Sequence, residues 1–83
     1  MVNGERLSAV RVVWHDAHSE SGDGWIGRDS IDREPCVVET VGWLLPDAKP
    51  EHLVIAQSWI AADDSLDGVL CVPVGMVRAV HLL

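Results

Sequence analysis

Two aromatic residue types and most of the positive charge are missing from this chain. Its 83 residues include no Tyr and no Phe, and only six Lys and Arg stand against thirteen Asp and Glu, for a net charge of −7. Because such a chain repels phosphate backbones, the composition disfavours nucleic-acid binding. A basic partner stays open, as does an acidic surface that mimics nucleic acid, although simple solubility also explains the charge.

Long apolar runs are also missing. No stretch approaches the roughly 20 apolar residues of a membrane span, and the N-terminus lacks the basic region and apolar run of a signal peptide. These features predict a cytoplasmic protein.

Cysteine is scarce as well. Cys36 and Cys71 are the only two, and both lie in apolar, strand-like runs. A free cysteine behaves as a small buried hydrophobe, so the sequence favours two core thiols over a disulfide.

What the chain does contain is apolar, β-branched sequence. Hydrophobic residues make up 48% of it, and the many valines favour strands because branched side chains suit a pleated surface. The length allows a single domain over residues 1–83 with a modest core, frayed over residues 1–6. A core of this size gives marginal stability unless the protein oligomerises.

The strongest strand signal runs from Cys36 to Leu45. Gly42 interrupts its alternation, which predicts a bulge or sharp coil where the strand passes from one half of a sheet to the other. An earlier strand is predicted over Leu7–Ala17, where Val10, Val12 and Trp14 share one face at period two.

Between these two strands lies a long polar loop, residues 18–35. Its Trp25 and Ile26 are predicted to pin it to the rest of the domain, and Asp29–Glu34 to form one helical turn with Asp29 or Ser30 as N-cap. The remaining prediction is a strand at Leu53–Ala61, an acidic turn at Asp63–Gly68, a short strand at Val69–Val72, a turn at Pro73–Met76, and a last strand at Val77–Leu83 with Val80 and Leu82 in the core.

Five short strands with a proline–glycine turn before the last one predict an all-β, strongly bent small barrel. A bent second strand, a hairpin, and Val-Pro-Val-Gly-Met-Val-Arg-Ala-Val as turn plus closing strand resemble the SH3-like and Sm-like barrels. The whole chain is also similar to small proteins of actinobacterial phages and prophages, through Val-Val-Trp-His-Asp, a loop Trp, Thr-Val-Gly-Trp-Leu, Ile-Ala-Gln-Ser and Val-Pro-x-x-x-Val. Sm-like RNA binders carry basic pockets, whereas Arg11 and Arg78 are isolated here, which argues against RNA binding.

The nearest approach to a metal motif is the pair His15 and His18. On a strand these two side chains point to opposite faces, and no spacing resembles a zinc signature, so solvated histidines are the better interpretation and no cofactor is predicted. No serine or cysteine lies in a recognisable nucleophile elbow, and a barrel of this size has no deep cleft to exclude water. The sequence therefore predicts a protein that is not an enzyme.

The tryptophans are the more informative residues. A small barrel cannot easily bury four of them, and Trp is enriched at interfaces. We therefore expect some of Trp25, Trp43 and Trp59 to be semi-exposed; the competing interpretation is that Trp25 caps one barrel mouth.

Two functions follow from this expectation. The first is a self-associating, phage-type interaction protein that docks a host protein through its tryptophans. The second is an oligomeric sponge for a nucleotide signal used in antiviral defence, in which a Trp stacks on the base and arginines hold phosphate. The residues predicted to bind partner or ligand are Trp25, Trp43, Trp59, Arg28, Arg78 and Gln57.

Overall fold

The computed structural model describes residues 6–19 and 24–83 and is all-β. Its strands are β1 (Ser8–Asp16), β2 (Cys36–Leu45), β3 (His52–Ile60), β4 (Ser65–Pro73) and β5 (Val77–Leu82), with short 3₁₀ turns at Arg28–Ser30 and Val74–Met76. The predicted all-β class is confirmed, and β2 has the predicted limits. The predicted frayed N-terminus falls outside the described residues except for Arg6, as do residues 20–23 of the predicted loop.

All five strands form one antiparallel sheet in the order β4-β3-β2-β1-β5. Within the described ranges, β4 and β5 do not pair with each other, so the sheet does not close on itself. A closed barrel is therefore not confirmed, and both end strands keep a free edge.

The core follows from the alternation in β1. Val10 and Val12 are fully buried and cluster with Ile55 of β3, and the partly buried Trp14, predicted to share their face, packs against this cluster. The Trp14 indole N–H donates a hydrogen bond to the Thr40 hydroxyl at 3.0 Å, which satisfies its polar edge inside an apolar setting.

Gly42 does not create the predicted bulge. The β1–β2 register runs without interruption from Ser8 opposite Leu44 to Asp16 opposite Cys36, and the irregularity lies between β1 and β5 at Val13 and Trp14. A Cβ at Gly42 would lie 2.8 Å from the Ala56 carbonyl oxygen. Glycine is thus needed here because β3 approaches the β2 backbone closely.

The hairpin of β3 and β4 is longer than predicted. Its turn covers residues 61–64, and the left-handed turn position is taken by Asp64 (φ 60°), while Gly68 (φ 65°) lies within β4. The Asp-Gly pair at residues 67–68 therefore gave a wrong turn position. Asp64 adopts the same left-handed backbone region as Gly68, which Asp tolerates better than most residues, and the turn forms before Ser65. Leu66 pairs with Trp59 as a result.

Four residues predicted to lie in the core do not lie there. Val80 and Leu82 of β5 are 43% and 77% exposed because no strand lies beyond them among the described residues. Cys36 is only partly buried and Cys71 is exposed; both thiols are free, so they are not core residues.

The described part of the long loop does not pack on the sheet. Every residue from 24 to 35 is exposed, and Trp25 is as accessible as in an unfolded chain. The predicted pinning by Trp25 and Ile26 is therefore wrong, as is a Trp25 cap over a barrel mouth. The predicted helical turn is a 3₁₀ turn at Arg28–Ser30 that begins after Gly27 without a side-chain cap.

The molecule is extended for its length. Its Cα radius of gyration is 16.7 Å, against about 12 Å for a compact domain of this size. No helix in the described part of the chain is long and apolar enough to cross a membrane.

Candidate binding cleft

The most distinctive site lies where β2 and β3 separate. Nine residue pairs join β1 to β2, but β2 and β3 pair only from Trp43 opposite Ala56 to Leu45 opposite Val54. Beyond Ala56, β3 continues with β4 alone, and the first half of β2 continues with β1 alone. The sheet therefore splits into two arms with a gap between them.

Unpaired backbone groups face into this gap. The Leu83 N–H donates to the Ala9 carbonyl at 3.0 Å, so the polar groups of Ala9 face β5. Because antiparallel ladders alternate, those of Val10 face β2 and those of Gly42 face β1. The N–H and C=O groups of Val41, one residue earlier, consequently point away from β1 and towards the gap, as do those of Glu39 and Val37.

The gap contains a cavity of about 290 Å³, here called the β2–β3 cleft. It is lined by three apolar side chains, two small residues and two uncharged polar side chains: Val41, Ile55, Leu70, Ala56, Gly68, Thr40 and Gln57. These groups offer apolar contact and neutral hydrogen bonds, and the lining has no ionisable side chain. Such a surface suits the binding of a segment that brings its own backbone hydrogen-bonding groups.

Gln57 helps to shape the floor of the cleft. A Cβ added to Gly68 would lie only 2.7 Å from the Cβ of Gln57, so the Gln57 side chain occupies the space beside Gly68. Gln57 is therefore the one predicted binding residue that lines the cleft. Val41 and Leu70 also line the cleft, but the sequence did not predict them as binding residues. The signal for Val41 was its alternation with Val37 along β2; these two valines are 58% and 56% exposed.

Acidic groups surround the far end of the β3–β4 hairpin. Hydrogen bonds from the Ser65 hydroxyl and from the Ser65 N–H, which lies 3.1 Å from Asp63 Oδ1, lower the pKa of Asp63. This carboxyl group therefore stays ionised to lower pH than an ordinary one. Asp67 is exposed on the same hairpin, one residue before Gly68 of the cleft.

Two predicted tryptophans contact each other instead of standing free. The rings of Trp43 and Trp59 meet edge to face, with centroids 5.5 Å apart. The Arg6 guanidinium lies 4.9 Å from the Trp59 ring centroid, and the Trp59 indole N–H donates to Asp64 at 2.9 Å. This arrangement fixes both rings, whereas Trp25 is left fully exposed in the loop.

The remaining predicted residues lie apart from the cleft lining. Arg28 is exposed in the first 3₁₀ turn. Arg78 donates to the carbonyl oxygens of Gly75 and Val77 at 2.9 and 3.2 Å, so its guanidinium is engaged with its own turn. His15 is partly buried and His18 is exposed; no group of three or more potential metal ligands occurs within residues 6–19 and 24–83.

Comparison with known proteins adds no assignment. No protein-family model, no curated protein and no solved structure matches this chain.

Proposed function

We propose that this chain is a non-enzymatic interaction protein that self-associates and binds an extended, positively charged segment of a protein partner. The β2–β3 cleft receives that segment as an added strand, and Trp25 supplies a second contact from the loop. The observation that carries the proposal is the split in the sheet, which leaves backbone donors and acceptors beside exposed valines.

Strand addition is the recognition mode that this geometry favours. A partner strand satisfies the groups of Val37, Glu39 and Val41, and its alternate side chains enter the cleft against Leu70 and Ile55. Main-chain hydrogen bonds then supply affinity, while the size of the cleft selects the inserted side chain.

Charge favours a basic segment. The chain carries a net charge of −7, and Asp67 is exposed on the β3–β4 hairpin directly before Gly68 of the cleft. Arg11 of β1, which lies opposite Val41, is already paired with Glu39. An acidic surface speeds the approach of a positively charged partner and disfavours an acidic one.

The fold and the origin belong to the same proposal. The five-stranded antiparallel order and the 3₁₀ turn before the last strand support an SH3-like or Sm-like barrel that remains open on one side. The resemblance to phage and prophage proteins supports a protein that acts in the cytoplasm of an infected bacterium, on a host protein.

The test uses two synthetic decapeptides, one alternating Val with Lys and one alternating Val with Glu. Titration followed by amide NMR is expected to shift the signals of Val37, Glu39 and Val41 with the Lys peptide and to leave them unchanged with the Glu peptide. Val41→Lys, at a position already 58% exposed, is expected to weaken binding at least about tenfold through like-charge repulsion.

Val74→Lys is the matched control because Val74 is 56% exposed in a turn outside the cleft. It should bind as the parent does. Equal shifts with both peptides, or shifts confined to other residues, would refute the cleft proposal. A response to cyclic nucleotides in place of either peptide would instead favour the nucleotide-binding alternative.

A further inference from the structure

We infer that the outer edge of β5 is a docking surface for a second copy of this chain. The inference rests on the self-association in the proposed function and specifies its surface. The two β5 strands pair antiparallel about a twofold axis, which joins two sheets of five strands into one continuous sheet. The β2–β3 cleft stays free, because β1 lies between it and β5.

The geometry of β5 leaves a row of unsatisfied hydrogen-bonding groups. Since the Leu83 N–H bonds to Ala9, and Arg11 and Val13 pair with His81 and Ala79, the residues Ala79, His81 and Leu83 direct their polar groups towards β1. By alternation, the N–H and C=O groups of Val80 and Leu82 face outward. Such a row is a template for another strand.

The apolar core also stops abruptly at this edge. Val12 is fully buried, yet its sheet neighbour Val80 is 43% exposed; Val10 is fully buried, yet its neighbour Leu82 is 77% exposed. Leu83, directly after β5, is 70% exposed. A second β5 strand covers the exposed part of this row and continues the core across the axis.

Charge selects a second copy over other occupants of this edge. Residues 77–83 contain no Asp or Glu, although the chain as a whole carries thirteen acidic residues. Two copies can therefore meet along β5 without bringing carboxylates together. Arg78, a cation on this strand, donates to the carbonyl oxygens of Gly75 and Val77. Its charge is therefore directed at its own turn and does not oppose the pairing of a further strand, as charged side chains on edge strands often do.

The pair is centred on Val80, a register in which the outward groups of the two strands face each other. Val80 lies opposite Val80 of the second copy, and Leu82 lies opposite Arg78, so no two like charges stand directly across from each other. In this register Ala79 faces His81, and the outward groups of both strands meet as hydrogen-bonded pairs. A six-residue strand makes an interface well below the roughly 800 Å² per partner of a standard complex, so the dimer is expected to be reversible and to depend on protein concentration.

The test is sedimentation velocity of the full chain over a range of concentrations, with three variants. The parent protein is expected to shift from monomer to dimer as concentration rises. Val80→Lys places two lysines face to face on the axis and is expected to weaken dimerisation more than about a hundredfold. Leu82→Lys, at a more exposed position, is expected to act in the same direction with less risk to folding.

Val69→Lys is the matched control, since Val69 is 50% exposed on the opposite edge strand β4. It should dimerise as the parent does. A parent that remains monomeric throughout, or a dimer that survives both β5 substitutions while Val69→Lys dissociates it, would overturn the inference. Titration of the Val80→Lys variant with the Lys peptide tests the cleft separately, so either proposal can fail without the other.

Discussion

The two edge strands of the sheet carry very different sequences. β4 has exposed Asp67, Gly68 in a left-handed conformation, and Pro73, which has no N–H to donate. β5 is irregular only near its start, where Val13 faces Ala79 and Trp14 faces Val77, and beyond that point it exposes Val80 and Leu82. Charge, backbone irregularity and proline are the devices that natural edge strands use against further pairing.

The difference indicates that one edge is closed to strand addition and the other is open. The partial opening between β2 and β3 is a third, interior site, whose free groups lie beside the β3–β4 arm.

The largest effect is expected at the junction. Gly42→Ala places a Cβ 2.8 Å from the Ala56 carbonyl oxygen, a collision with backbone that side-chain rotation cannot relieve. We expect the free energy of unfolding to fall by about 3 kcal/mol, measured by urea denaturation. Gly75→Ala is the control, because its Cβ would meet nothing within 4 Å; equal losses in both variants would contradict this role for Gly42.

A smaller effect is expected within β4. Gly68→Ala forces a side chain into a conformation with φ of 65° and against the Cβ of Gln57, which should cost about 1–2 kcal/mol. In a domain of this length the melting temperature should fall by several degrees. If Gly68→Ala were as stable as the parent, the left-handed residue would not be a required irregularity of the β4 edge.

The smallest effect concerns the turn before β4. The pKa of Asp63 is lowered in the folded protein, so its ionised form stabilises the turn above the ordinary carboxyl pKa, and this contribution is lost as pH falls through the lowered value. The stability difference between the parent and Asp63→Asn should therefore shrink below about pH 4. Thermal unfolding at pH 6 and pH 3 measures it; a difference that grows on acidification would contradict the assignment.

Local signals in the sequence predicted the positions of most strands. The period-two pattern of β1 and the strand-like composition of β3 placed those strands to within one residue at each end, and β2 begins at Cys36 and ends at Leu45 as predicted. These features depend on alternation, strand composition and turn residues, which a single stretch of sequence displays.

Features that depend on spatial neighbours could not be predicted. Val80 and Leu82 have the alternation of core residues, and only the absence of a strand beyond β5 in the described chain exposes them. The cleft forms because β3 leaves β2 after Ala56, a long-range event that no local pattern in β2 or β3 records. The turn position of Asp64 was masked by the stronger turn preference of Gly68.

Hydrogen exchange at individual amides tests the contrast between the edges most directly. The Val74 N–H donates to the Glu51 carbonyl, so by alternation Val72 and Leu70 face β3 and the outward amides of β4 belong to Cys71 and Val69. Those of β5 belong to Val80 and Leu82. With rising protein concentration, the Val80 and Leu82 amides should become protected while those of Val69 and Cys71 continue to exchange rapidly. Rapid exchange at Val80 and Leu82 at every concentration, or protection that rises at Val69 and Cys71 instead, would contradict the open β5 edge.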